Sequence, residues 1–217
     1  MNLLCISDLH GRISVLDRLR KPGEEADIFI VSGDITNFGK RATAEDVVGR
    51  LLKINDSLLA VPGNCDTPEV NDVLEEYGVS IHGRGIVKEG MAFFGVGGST
   101  ITPFGTPQEY REERLLEILM RGYEAVKEYE KKVLVSHTPP YGTKADLTSS
   151  GFHVGSRGVR EFIEEKDIAL VVCGHIHEAR GEDVLGDTCI VNPGPGHMGF
   201  AEIGLDGKVV INLVDLH

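Results

Sequence analysis

Two histidines one residue apart, His175 and His177, follow directly on the apolar run Val171-Val172-Cys173-Gly174. A buried strand ending in glycine lets the backbone turn sharply, so one imidazole can face one metal ion and the other a second. Taken alone, the pair also has an ordinary reading as two solvent-exposed loop histidines. Other parts of the chain repeat the pattern. Asp8 and His10 follow the apolar run Leu3 to Ser7, Asp34 follows Asp27 to Ser32, Asn64 follows Ser57 to Val61, and His137 follows Lys132 to Ser136.

Asp8, His10, Asp34, Asn64, His137, His175 and His177 are thus seven candidate ligands on five loops. Singly, each has an ordinary reading: Asp8 or Asp34 could cap a following helix, Asn64 could serve a turn, and His137 could sit in a core. Jointly they read differently, because each lies just past an apolar strand. Carboxylate, amide oxygen and imidazole, with no cysteine in a ligand pattern, suit manganese, iron or zinc better than a structural zinc site. Seven ligands exceed one tetrahedral ion. Two ions roughly 3.5–4 Å apart, sharing a carboxylate and a water or hydroxide, form the arrangement used for in-line attack on phosphorus.

The elements that must position these residues are legible from periodicity. Three strand–loop–helix units come first: a stretch with Ile13, Leu16 and Leu19 on one face follows the first run, a helix over 43–52 follows the second, and one over 69–77 follows the third. Strand ends of an open α/β sheet are where ligands bind, so the polar residues should converge. An antiparallel hairpin turning at Gly90 is expected next, then a Gly/Pro/Thr-rich loop over 97–107 reaching over a pocket, and an amphipathic helix over 110–131. After the strand ending at His137 come a loop over 141–155, a helix over 156–165 with Ser156 as N-cap, and the strand leading to His175. The remainder gives short strands, with Asp206-Gly207 as a hairpin turn. The front is α/β and the back more antiparallel.

The chain has 217 residues, 41% of them hydrophobic, enough for one sizeable core, and residues 1–217 read as a single globular domain. A net charge of −12 opposes the phosphate attraction that holds most nucleic-acid binders, so a nucleic-acid polymer is disfavoured as partner. Metal cations can still make one region of an acidic shell positive, which keeps small phosphorylated molecules in play. Cys5, Cys65, Cys173 and Cys189 show no CxxC spacing and read as reduced thiols of a cytoplasmic protein. The N-terminus lacks a signal-peptide pattern, and no apolar run approaches the roughly 20 residues of a membrane span. Gln108 is the single glutamine.

Asp8-Leu9-His10, Gly33-Asp34, Gly63-Asn64-Cys65-Asp66, His137 and Gly174-His175-Ile176-His177 resemble the five ordered motifs of the calcineurin-like metallophosphoesterase superfamily. The resemblance spans residues 8–177 and implies a four-layer α/β/β/α sandwich of two mixed sheets flanked by helices, with the dimetal site at the strand C-terminal ends. It further implies that Asp8, His10 and His177 hold one ion, that Asn64, His137 and His175 hold the other, and that Asp34 bridges them. Manganese is the first expectation for the two divalent ions, with iron, zinc, nickel and magnesium as alternatives. Asn192-Pro193-Gly194 also resembles a turn of small prokaryotic members. The family's third motif usually carries histidine after its asparagine, thought to protonate the leaving oxygen or steady the phosphate; here Cys65 stands there, as in a subgroup that includes small phosphodiesterases. A neutral thiol is a poorer proton donor near pH 7, which favours substrates whose leaving group needs little help.

The expected function is therefore a phosphodiesterase hydrolysing a small phosphorylated compound by attack of a metal-bridging hydroxide, with Asp34, Asn64 and Cys65 as catalytic residues. Alternatives are a phosphomonoesterase or protein phosphatase of the same fold, and a non-catalytic scaffold; the complete ligand set speaks against the last. Asn37 and His153 are candidate substrate-binding residues, each with an ordinary reading as turn or loop residue beside it. Self-association into a homo-oligomer is left open.

Overall fold

The computed structural model describes residues 1–204 and 207–215. In chain order the elements are β1 (Asn2–Ile6), α1 (Leu16–Glu25), β2 (Ile28–Val31), α2 (Arg41–Leu52), β3 (Leu58–Ala60), α3 (Pro68–Glu76), β4 (Gly85–Lys88) and β5 (Met91–Val96). There follow β6 (Ser99–Thr100), β7 (Glu109–Tyr110), α4 (Glu112–Glu124), β8 (Lys132–Ser136), α5 (Arg157–Glu165) and β9 (Leu170–Val172). The chain closes with β10 (Gly181–Leu185), β11 (Thr188–Asn192), β12 (His197–Ile203) and β13 (Val209–Asp215).

Two mixed sheets result, ordered β13-β12-β1-β2-β3 and β10-β11-β9-β8-β5-β4. The central strands are unbroken apolar runs because both faces of each are covered. Side-chain alternation sorts them: Leu4, Ile6, Phe29 and Val31 point out to the cluster under α1, α2 and α3, whereas Leu3, Cys5, Ile28 and Ile30 point in. There they meet Phe93, Val133, Val135 and Val172 of the second sheet. Phe94, Leu134 and Val171 face the other way, onto Leu115, Leu119, Phe162 and Ile163 of α4 and α5. The helix–sheet–sheet–helix order expected from the motifs is therefore present.

β1, β2 and β3 run parallel, with Leu3 opposite Ile28 and Phe29 opposite Leu58. β5, β8, β9 and β11 are parallel in the second sheet. The C-terminal ends of each parallel set therefore lie on one edge, which is what brings loops distant in sequence together. The β4–β5 hairpin turns at Glu89 and Gly90, with φ of 49° and 78°, the double left-handed pattern of a tight hairpin. Ser156 caps α5, its hydroxyl accepting from Val159 N at 3.0 Å.

Three expectations need correction. The helix expected over 110–131 occupies only Glu112–Glu124: Tyr110 pairs in β7 with Thr100, and the chain leaves the helix at Ala125 to bury Val126. From Lys127 to Lys131 only Tyr129 among the side chains is apolar in character, and it is 41% exposed, so nothing draws a longer helix onto the core before the chain reverses into β8. Ile13 is 40% exposed, because it opens a 3₁₀ turn ahead of α1 and so leaves the helical face it would otherwise share with Leu16 and Leu19. The loop over 97–107 carries β6, which pairs in parallel with β7 just beyond it. Of the expected turn at Asp206-Gly207, Asp206 lies outside the described residues.

Candidate metal centre

Left-handed backbone marks the ligand loops. Asp8, His10, Asp34 and His175 have φ of 55°, 48°, 48° and 68°, a conformation that L-residues adopt at a cost and that clusters at functional sites. The loops are stitched to each other: Asp8 N donates to Gly33 O at 3.0 Å and His10 N to Asp34 O at 2.8 Å. In the stretch after β9 the left-handed residue is His175 itself rather than Gly174. Gly174 is needed for space, since a Cβ there would fall on Ser7 Oγ and Asp8 Oδ2. Gly63 answers the same requirement against Asp34 Oδ1.

The seven side chains form two adjoining groups. In the first, one ligand atom from each of Asp8, His10, Asp34 and His177 lies within 4.8 Å of all the others. His10 Nε2 is 3.1 Å from His177 Nε2 and 3.6 Å from Asp34 Oδ2, and His177 Nε2 is 3.4 Å from Asp8 Oδ1. In the second, His137 Nε2 is 2.9 Å from Asn64 Oδ1 and 3.5 Å from Asp34 Oδ1, and the His175 ring meets that of His137 edge-on at 5.2 Å. Asp34 thus turns one carboxylate oxygen toward each group.

Acceptor atoms face acceptor atoms here, which is the condition a cation relieves. His137 Nδ1 is 2.8 Å from the carbonyl of Ser32, which can only accept, so Nδ1 carries a proton, and whenever the ring holds that one proton alone Nε2 is a bare lone pair. That lone pair points at the carbonyl oxygen of Asn64. Asp8 Oδ2 is buried with no hydrogen-bond partner. Carboxylates, an amide oxygen and imidazoles without thiolate are the donors of a divalent transition-metal pair, and the residues present fit one.

The electrostatics agree. Burial pushes the Asp8 carboxyl up, but its hydrogen bond with His177 and the nearby His137 and His177 rings outweigh that and hold it at about 2. Burial, reinforced by His137, lowers His175 to about 4, keeping it neutral and able to ligate. His177 is raised by its bond to Asp8, while burial lowers His10, so of the facing pair His177 takes the first proton. Burial, then the Asp34 charge, pushes the Cys65 thiol up and favours its protonated form.

Cys65 stands beside the centre. Its N–H donates to Asp34 Oδ1 at 2.8 Å, and Asn64 Nδ2 is 3.6 Å from its sulfur. Asn37 is exposed at the tip of the turn that carries Asp34, which Phe38 N fastens to Cys65 O at 3.2 Å. His153 does not join the ligand groups. Its Nδ1 is 2.6 Å from Asp146 Oδ1, and that carboxylate also accepts from Gly142, Thr143 and Gly155 N–H groups, organising the 141–155 loop. The loop nonetheless borders the centre, since Ser149 N donates to Glu178 Oε1 at 3.2 Å, one residue past His177.

Sequence reasoning gave no role to several residues that hold the ligands. Buried Asp66 accepts from Ile35 N, Thr36 N, Thr36 Oγ1 and Gly63 N, locking the Asp34 turn to the Asn64 turn. Asn192 Nδ2 donates to Ile176 O at 3.0 Å, holding the His175–His177 turn from behind, a role that the Asn-Pro-Gly turn signalled. Gln108 reaches Asp66 O with its side chain, and its N–H donates to Asn64 O at 3.1 Å. Thr106 Oγ1 accepts from Asn64 Nδ2 at 3.0 Å. Only their position in space reveals these last two.

A family model described as calcineurin-like phosphoesterase matches residues 1–179. An uncharacterized protein of Methanocaldococcus jannaschii is 41% identical over 201 residues, covering 90% of this chain and 88% of its own. A crystal structure of a Thermus thermophilus protein superposes with a TM-score of 0.77 at 20% identity, covering 100% of this chain and 99% of that one. The structure of a novel archaeal phosphodiesterase does so with a TM-score of 0.54 at 14% identity, covering 99% and 100%. Both structures share the fold. Among the described residues no helix is long and apolar enough to cross a membrane.

Proposed function

The chain belongs to the calcineurin-like phosphoesterase family, and from that premise we propose that it is a dimetal phosphodiesterase acting on a small phosphorylated compound. The observation that carries the reading is the Asp34 carboxylate, whose two oxygens face His10 at 3.6 Å and His137 at 3.5 Å. One group, Asp8, His10 and His177, would hold one ion; Asn64, His137 and His175 the other; Asp34 would join them, with manganese the first choice. Bound there, two divalent ions supply Lewis-acid activation of water and of the phosphoryl oxygens.

The chain's own residues do the rest. Asp34, fixed by the Cys65 N–H, sets the separation of the two groups and offsets cationic charge. Asn64 presents a neutral oxygen beside His137. The Cys65 thiol, held protonated, offers little acid to a departing alkoxide, which suits diesters with good leaving groups over monoesters. The archaeal phosphodiesterase of the same fold is consistent with this choice. Exposed Phe38, Phe104 and Phe152 rise from the three loops that Cys65, Asn64 and Glu178 anchor, and they offer apolar surface to the organic arms of a diester.

A panel of nitrophenyl monoesters and diesters, cyclic nucleotides and dinucleotides, each with Mn, Mg, Ni and Zn, tests the proposal. Diester hydrolysis exceeding monoester hydrolysis, abolished by chelation, is expected. Faster monoester hydrolysis makes it a phosphomonoesterase, and no turnover with any metal makes it a scaffold.

A further inference from the structure

The amide of Asn64 is held by a relay that begins on a loop with no ligand of its own. Glu109 Oε1 accepts from Thr106 Oγ1 at 2.8 Å, from Thr106 N at 2.9 Å and from the Thr102 hydroxyl. Burial alone would push the Glu109 carboxyl up, but the hydrogen bonds from Thr102 and Thr106 hold it at about 2, so it accepts and does not donate. The hydroxyl proton of Thr106 is therefore committed to Glu109. Its oxygen has only lone pairs left for Asn64, 3.0 Å away. With that proton on Glu109, the end of the Asn64 amide facing Thr106 is the NH₂, and the end facing His137 Nε2 at 2.9 Å is the carbonyl. The opposite orientation would move the Thr106 proton from the Glu109 carboxylate to the amide oxygen, exchanging a charge-assisted bond for a neutral one.

We propose that Thr106 and Glu109 are positioning residues that hold the Asn64 amide with its oxygen toward the second group of ligands. The proposal rests on the dimetal reading above. Its logic is competitive. With the amide turned over, Asn64 N–H would donate to the lone pair of His137 Nε2, two ligands would satisfy each other, and the second group would be closed to a cation without any change of fold. Without Thr106, the NH₂ is left with the Cys65 sulfur at 3.6 Å, a weak acceptor. The same carboxylate oxygen fastens residues 102–106, which carry exposed Phe104, and Gln108 N–H to Asn64 O clips the next stretch of the loop to the same residue. Phe104 and the ligand amide thus share one anchor.

Thr106→Val is isosteric and removes the hydroxyl, both the acceptor for Asn64 and the donor to Glu109, while keeping the backbone N–H bond to Glu109; Thr106→Ser restores the hydroxyl. In metal-free protein the Asn64 side-chain NH₂ resonance, identified by its loss in Asn64→Asp, should shift in Thr106→Val and return in Thr106→Ser. Calorimetric titration with Mn or Zn should show one of two binding events weakened roughly 10- to 100-fold in Thr106→Val, the usual effect of losing a partner that orients a ligand, with the other near wild type and Thr106→Ser recovered. An unmoved amide resonance, or two unaltered binding events, overturns the relay. Equal loss in Thr106→Ser does so too. Wild-type protein that takes up fewer than two ions overturns the dimetal reading instead, and the metal-free amide resonance then decides the relay by itself.

Discussion

His10 Nε2 and His177 Nε2 stand 3.1 Å apart, each also facing a carboxylate, Asp34 for one and Asp8 for the other. With buried Asp8 Oδ2 unpartnered beside them, the folded chain holds a preformed concentration of lone pairs that the unfolded chain does not. A cation that binds only the folded form stabilises it by about 2.7 kcal/mol at a hundred times its dissociation constant. Chelation should therefore lower the melting temperature by several degrees, and Mn or Zn should restore it in proportion to occupancy. A melting temperature indifferent to chelator and metal would mean that the histidines face each other for another reason.

Asp34→Asn should lose most activity and part of the bound metal. An amide keeps the size but can no longer present a charged oxygen to both His10 and His137, and its NH₂ would have to face either a histidine nitrogen or the Cys65 N–H. Asn37→Ala, at an exposed turn tip, should change turnover far less. Metal analysis together with kcat checks this; near-normal turnover with two ions bound would rule out the bridging role.

Cys65→Ala should barely change hydrolysis of an activated nitrophenyl diester, whose leaving group departs without a proton. Cys65→His should help most on unactivated alkyl esters, where general acid catalysis is worth roughly 10²- to 10⁴-fold. If Cys65→Ala instead loses metal, or fails selectively on poor leaving groups, the thiol is a ligand or donor.

His82 gives a stability prediction. Burial, then Arg121 and Arg114, lowers it to about 4, and its Nδ1 accepts from Gly97 N at 2.9 Å at the start of the loop that ends on Asn64. Above the unfolded value of about 6.5 both states are neutral and no penalty exists. As pH falls from there toward 4 the unfolded chain takes a proton that the folded chain refuses, so stability drops, by roughly 2 kcal/mol at pH 4.5. His82→Asn keeps an acceptor and cannot titrate. Urea melts of the metal-free protein at pH 7 and 4.5 should show a smaller acid loss in the variant; equal losses would place the acid sensitivity elsewhere.

Ligand loops were legible because each ligand terminates an apolar run, and a parallel sheet turns that one-dimensional fact into a shared edge. Placing Asp8, Asp34 and His137 on that edge needed nothing more than the strand ends they follow. Thr106 and Glu109 were not legible: they sit in a stretch rich in turn residues, and the bond to Asn64 spans 42 positions. The overrun of the helix past Glu124 has a similar origin, since the pattern of Leu115, Ile118, Leu119 and Val126 continues while the backbone does not. Val126 is buried like the others, but from a turn, and burial is all that periodicity records.

β1 finds its antiparallel neighbour in β12, Asn2 lying opposite Glu202 and Cys5 opposite Gly199. Seen from the ribosome, the ligands emerge long before their scaffold is complete. By the time His177 has been synthesised all seven exist, yet Asn192, which braces the last turn, and the strand that covers one edge of β1 are still to come. Contacts of such long separation are slow to close, and until they do the edge of β1 that pairs with β12, just ahead of Asp8, stays open. Removing the stretch that carries Asn192 and β12 would therefore leave all seven candidate ligands in the chain while taking away the brace behind the His175–His177 turn and the partner of β1.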